Sequence, residues 1–189
     1  MLVEFQHRCP ATAPVCDLVS YSTRAHCVIR LFDAWSRFCR SLVVLSAGAR
    51  PVTKTSGRLL HAPGIASVTD VLPKLRALHP KKPPWWEPRW GRAGDCLDAA
   101  RDLQIGNFPT VSAAIGSTPS PAEDIRIVRN FYAHRGAATF VLTRRVATGY
   151  GITGRVHPDA IAVFPVVGGV SVFESWIVDL LTVAESAVL

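Results

Sequence analysis

Seven apolar residues, Val28, Leu31, Phe32, Trp35, Phe38, Leu42 and Leu45, step by three, one, three, three, four and three. An α-helix puts such a series on one side of the chain, because about 3.6 residues complete a turn. The pattern extends over residues 17–47, with Arg30, Arg37 and Arg40 off the stripe and Gly48 and Pro51 placed to end it. A helix this long with so wide an apolar stripe must bury it. The rest of the chain has to supply the cover.

The later segments read as helices too. Ser67 or Thr69 caps one that runs to residue 79, where Pro73 is tolerated only in the first turn. Residues 95–105 form a short amphipathic helix stopped by Gly106 and Asn107, and 109–116 form another. Ser120, Pro121 and Glu123 make a helix start: a cap, a proline at the first helical position and a carboxylate three residues after the cap. Ile125, Val128, Phe131 and Tyr132 continue one face, read as core, and Gly136 breaks it. Residues 139–148 resume as helix, with a strand as the competing reading because the segment is β-branched and aromatic. Residues 52–64 read as loop, and 160–172 as strand or buried coil. Residues 171–187 close the chain as a helix with Phe173, Ile177, Leu180, Leu181 and Ala184 on one face. The count is five or six helices and no sheet, an all-α bundle in one domain over residues 1–189.

Composition narrows the partners. The net charge is +7 and the pI near 9.6, which favours a polyanion, nucleic acid or an anionic membrane. A spanning segment is not expected. The most hydrophobic window, 160–172, is short, contains Pro165 and two glycines, and is followed by Glu174 and Asp179. Met1-Leu2-Val3-Glu4-Phe5 lacks the basic stretch and apolar run of a signal peptide. The cysteines are Cys9, Cys16, Cys27, Cys39 and Cys96, an odd number with no C-x-x-C pair. Reduced, mostly buried thiols in a cytoplasmic protein fit best. His61, His79 and His157 show no metal-ligand spacing and read as structural, as do His26 and Cys27. No metal and no cofactor is expected.

The chemistry concentrates in Arg129-Asn130-Phe131-Tyr132-Ala133-His134-Arg135-Gly136. Arginine offers phosphate oxygens a planar, always charged fork. Histidine moves protons near neutral pH. An amide beside them both donates and accepts. Those groups suffice to cleave RNA without a metal, since the substrate's own 2′-hydroxyl is the nucleophile. Arg129 suits the charge that builds on the phosphoryl oxygens, His134 proton transfer, and Asn130 orientation. Positions five apart lie about 140° around a helix. Arg129 and His134 therefore converge if the helix distorts near Gly136, or if a second helix or subunit supplies the opposing wall.

This stretch resembles the Arg-x4–6-His motif of the HEPN superfamily of helical ribonucleases, in the form carried by bacterial members of the RiboL-PSP-HEPN type. The likeness covers roughly residues 95–189. The tryptophan-bearing first helix and the closing helix with Trp176 are similar as well, while 1–94 otherwise holds the first helix, a loop and a tryptophan-rich segment. The resemblance implies a HEPN-like helical bundle, a homodimer with the groove between protomers, and metal-independent endoribonuclease activity. It implies catalytic roles for Arg129, Asn130 and His134, with Glu123 and Asp124 as candidates for the upstream acidic residue of some relatives. Such families serve as toxins restrained by antitoxins, in phage defence and in RNA processing.

Two further places can meet RNA. Arg135 either contacts phosphate or complements the helix dipole as a C-terminal cation. Lys81, Lys82, Trp85 and Trp86 lie in a proline-rich segment with Trp90, Arg89 and Arg92. The indoles either stack on bases while the cations track phosphate, or pack onto the bundle. The alternative to an enzyme is a catalytically silent HEPN-like module that dimerises, or binds RNA and a partner protein. A helical DNA-binding regulator finds no support, because no helix-turn-helix signature is present.

Overall fold

The computed structural model describes residues 18–48, 61–116, 121–152, 158–166 and 168–188. The described residues form α1 (Leu18–Gly48), α2 (Val71–Leu78), α3 (Ala93–Asp102), α4 (Phe108–Ile115), α5 (Pro121–His134), α6 (Ala137–Gly149) and α7 (Val172–Ala187). Short 3-10 turns cover Val68–Asp70 and Pro158–Val163. Pro165 and Ser171 make an isolated antiparallel bridge, and there is no strand among the described residues. The chain is therefore all-α. The loop expected over 52–64 lies mostly outside the described residues, as do Ser120 and His157.

The contacts gather the chain into two compact units, Met1–Asp33 with Pro121–Leu180, and Ala34–Ser120 with Leu181–Leu189. The boundaries fall inside α1 and α7.

In the first unit α5 packs on α6, and the Pro158–Val163 turn lies against both. Ala122, Ile125, Val128, Phe131 and Tyr132 of α5 are buried, the face expected from their spacing. Phe173 and Trp176 of α7 are buried in the same unit. The start of α7 is a capping box. The Glu174 carboxylate accepts from the Ser171 amide (2.6 Å) and hydroxyl (2.7 Å), and Ser171 Oγ accepts from the Glu174 amide (3.2 Å). For residues 139–148 the helix reading holds. The threonine hydroxyls of this β-branched segment bond within the helix. Thr139 Oγ1 accepts from the Gly136 amide at the start of α6, and Thr143 and Thr148 donate to the carbonyls of Thr139 and Arg144 four residues back.

In the second unit α2 contacts α3, and α3 contacts α4. The Asp70 carboxylate accepts from the Ser67 amide (2.9 Å) and hydroxyl (2.9 Å), which fixes the entry to α2 with Pro73 in its first turn. Cys39 of α1 and Cys96 of α3 are buried and reduced; their mutual hydrogen bond, with burial, holds the Cys39 thiol far above its ordinary range. The buried side of α1 here comprises Trp35, Cys39, Leu42, Val43, Val44, Ser46 and Ala47. Backbone comes close at the end of the helix: a Cβ at Gly48 would stand 2.7 Å from Val68 Cα. Leu45, expected in the core, lies outward at 48% exposure. Leu181, also expected on the buried side of its helix, is exposed as well.

Candidate active site

Helix α5 is continuous from Pro121 to His134. The expected distortion near Gly136 comes only after the motif. Arg135 takes a left-handed backbone, φ +30°, and Gly136 caps α6. Arg129 and His134 therefore leave a regular helix about 140° apart, and nothing within α5 bends them together.

Burial separates their settings. Arg129 lies one turn after Ile125 and borders the buried stripe. Its Nε is buried without a hydrogen-bond partner, and its Nη1 donates to Asn130 Oδ1 at 3.3 Å. Asn130 and His134 are four residues apart and share a face. Asn130 is half-buried, and His134 is exposed at the last position of the helix. Asn130 thus connects a cation rooted in the protein to the side that carries the imidazole. The His134 side chain makes no hydrogen bond or ion pair among the described residues.

Arg135 is engaged by an aromatic residue. Its guanidinium lies 4.1 Å over the Tyr21 ring, and its Nε donates to Tyr21 Oη at 3.0 Å. Tyr21 in turn packs on Tyr132, with ring centroids 5.5 Å apart. These contacts hold a backbone conformation that costs a non-glycine residue about 1–3 kcal/mol. They fix the turn directly after His134.

The two upstream carboxylates are both occupied. Arg126 grips Glu123 through Nε and Nη2, with Nε at 2.7 Å. Asp124 accepts from the Tyr150 hydroxyl at 3.1 Å, and that oxygen accepts from the Trp176 indole N–H at 2.8 Å. Burial first, and the charge of Glu123 after it, raise the Asp124 carboxyl above its ordinary range against the pull of Tyr150. This chain of bonds ties α5 to the end of α6 and to α7. Sequence spacing gave no sign of it, because Tyr150 and Trp176 lie 26 residues from their partners.

The other candidate RNA contacts lie in the second unit, and the tryptophan segment divides between the two expected readings. Trp90 is buried and donates to Glu87 Oε2 at 3.1 Å. Trp86 is half-buried, 4.8 Å from the His79 ring, with Lys82 Nζ 5.8 Å from its centroid. Trp85 is 79% exposed, and Lys81 is exposed. His79 also bonds Asp102 at 2.9 Å, a pair that sequence alone did not single out.

No cluster of histidine, cysteine or carboxylate able to hold a metal occurs among the described residues, and no helix there is long and apolar enough to cross a membrane. No protein-family model matches the chain, and neither a curated protein nor a solved structure is similar to it at a significant level.

Proposed function

We propose that this protein is a metal-independent endoribonuclease of the HEPN type. The observation that carries the reading is the arrangement on α5: Asn130 and His134 one turn apart, and Arg129 bonded to Asn130 at 3.3 Å. In the reaction a base takes the proton of the 2′-hydroxyl, the 2′-oxygen attacks the adjacent phosphorus, and the bond to the 5′-oxygen breaks as an acid protonates it. The products are a 2′,3′-cyclic phosphate and a 5′-hydroxyl. His134 transfers the proton, a contribution of about 10²–10⁴-fold. Arg129 stabilises the charge gathering on the phosphoryl oxygens, and Asn130 orients the phosphate against both.

One helix presents Arg129 and His134 in different directions, so the opposing wall comes from a second copy. The homodimer is what the HEPN resemblance implies; Phe140 (41%), Val141 (50%) and Leu142 (40%) on the helix after the motif are exposed and available to it. The proposed role is that of a cytoplasmic toxin or phage-defence effector held in check by an antitoxin or regulatory protein.

The test is cleavage of labelled RNA in EDTA by the wild type, Arg129→Ala and His134→Ala. Cleavage by the wild type alone, leaving cyclic phosphate ends, is the expected result. RNA binding retained by all three without cleavage of total cellular RNA replaces this reading with a catalytically silent module.

A further inference from the structure

The second unit contains an open cleft of about 610 Å³, within the size range of small-ligand sites. Its lining combines Trp86, Lys82, Arg89 and Arg92 of the proline-rich segment and its end with a row of α3 carboxylates, Asp95, Asp98 and Asp102. Two of the lining carboxylates pair with arginines within the unit, Asp98 with Arg101 and Glu87 with Arg40 and Arg76. Asp102 is hydrogen-bonded to His79, and Asp95 makes no ion pair among the described residues. Lys82, Arg89 and Arg92 make none there either. Three unpaired cations against Asp95 and Asp102 favour an anionic ligand.

The aromatic component specifies that ligand further. The half-buried Trp86 indole has His79 4.8 Å from it and the Lys82 ammonium over its ring at 5.8 Å, so a base stacks there as the flexible lysine swings from the ring to the phosphate. That combination accepts a base and its phosphate together. An acidic peptide would use the cations and leave the indole idle. We infer that this cleft binds a nucleoside phosphate. The base stacks on Trp86, the phosphate lies among Lys82, Arg89 and Arg92, and Asp95 accepts a hydrogen bond from the ligand's polar edge. Neither Arg129 nor His134 lines the cleft, and the inference stands whether or not those residues cleave RNA. A free nucleotide and a nucleotide within single-stranded RNA share this chemistry.

Calorimetric titration of the full chain separates the two sources. The probes are adenosine 5′-monophosphate, inorganic phosphate, and a single-stranded hexanucleotide with 2′-O-methyl sugars that cannot be cleaved. Binding of the mononucleotide marks a free-nucleotide site, and binding of the hexanucleotide alone, retained by Arg129→Ala, marks a strand-binding site; either supports the inference. In both cases Arg89→Glu/Arg92→Glu and Trp86→Ala each weaken binding by about tenfold or more, while Arg129→Ala leaves mononucleotide binding unchanged. The inference is overturned if no probe binds, if binding survives the double charge reversal, or if inorganic phosphate binds as tightly as the nucleotide and Trp86→Ala has no effect.

Discussion

Arg129 Nη1 donates to the side-chain oxygen of its neighbour Asn130 at 3.3 Å, joining a cation at the edge of the core to the face that carries His134. If Asn130 acts by orientation alone, its loss removes hydrogen-bond energy of about 0.5–1.5 kcal/mol, or roughly two- to twelvefold in rate. Loss of the proton-transfer group costs about 10²–10⁴-fold. Asn130→Ala is therefore expected to cleave RNA more slowly than wild type but well above His134→Ala in single-turnover assays. The reverse order would show that the amide carries the chemistry.

Tyr150 is the middle of a three-residue chain of hydrogen bonds, accepting from buried Trp176 and donating to Asp124. Tyr150→Phe keeps the ring and removes both bonds, stranding an indole donor. The expected loss is about 1–3 kcal/mol, read as a lower urea midpoint with an unchanged slope. An unchanged midpoint would mean that water replaces the hydroxyl.

Two carboxylates give opposite pH signatures. Burial raises Asp124 above its ordinary 3.8, so the folded chain holds the proton longer than the unfolded one. Its contribution to stability falls as pH rises from 3.8 through the raised value. Asp124→Asn is expected to gain stability relative to wild type as pH rises through that window. Glu87 is drawn below 4.5, chiefly by its bond to Arg40, with burial opposing and Trp90 and Arg76 assisting. Its contribution is complete above 4.5 and is lost as pH falls through the lowered value. Glu87→Gln is expected to destabilise at neutral pH and to converge on wild type in acid. Urea unfolding over about pH 3 to 7 checks both signs.

Gly48 ends α1 against backbone, with Val68 Cα at 2.7 Å and Ser67 O at 2.8 Å from a would-be Cβ. Neither neighbour is a flexible side-chain tip. Gly48→Ala is expected to cost about 1–3 kcal/mol through overpacking, although alanine is the better helix former. A gain in thermal midpoint would show that the Val68–Asp70 turn shifts freely.

Local pattern carried much of this fold. The period of α1, the proline and carboxylates opening α5, and the break at Gly136 are all effects within a few residues, and each is where spacing places it. What the sequence left open depends on distant partners. Leu45 and Leu181 look like core by period, but burial is decided by which neighbour arrives, and both stand exposed. The choice of helix over strand at 139–148 goes with tertiary packing, since this segment lies against α5 with Thr143, Val146 and Ala147 buried, and β-propensity does not count such contacts. The Arg129, Asn130 and His134 set was legible because it lies within one turn and a half. The His79–Asp102 pair and the Tyr150 chain were not, since partners 23 and 26 residues apart leave no period to read.

Glu87 accepts from Arg40 and Trp90 and pairs with Arg76, while Arg76 also donates to the Trp86 carbonyl at 3.0 Å. One carboxylate thus moors a segment whose prolines already restrict its backbone. The backbone beside Trp86 therefore surrendered its conformational entropy during folding, and the ordering cost left for a ligand of the proposed kind lies in the side chains of Lys82, Arg89 and Arg92.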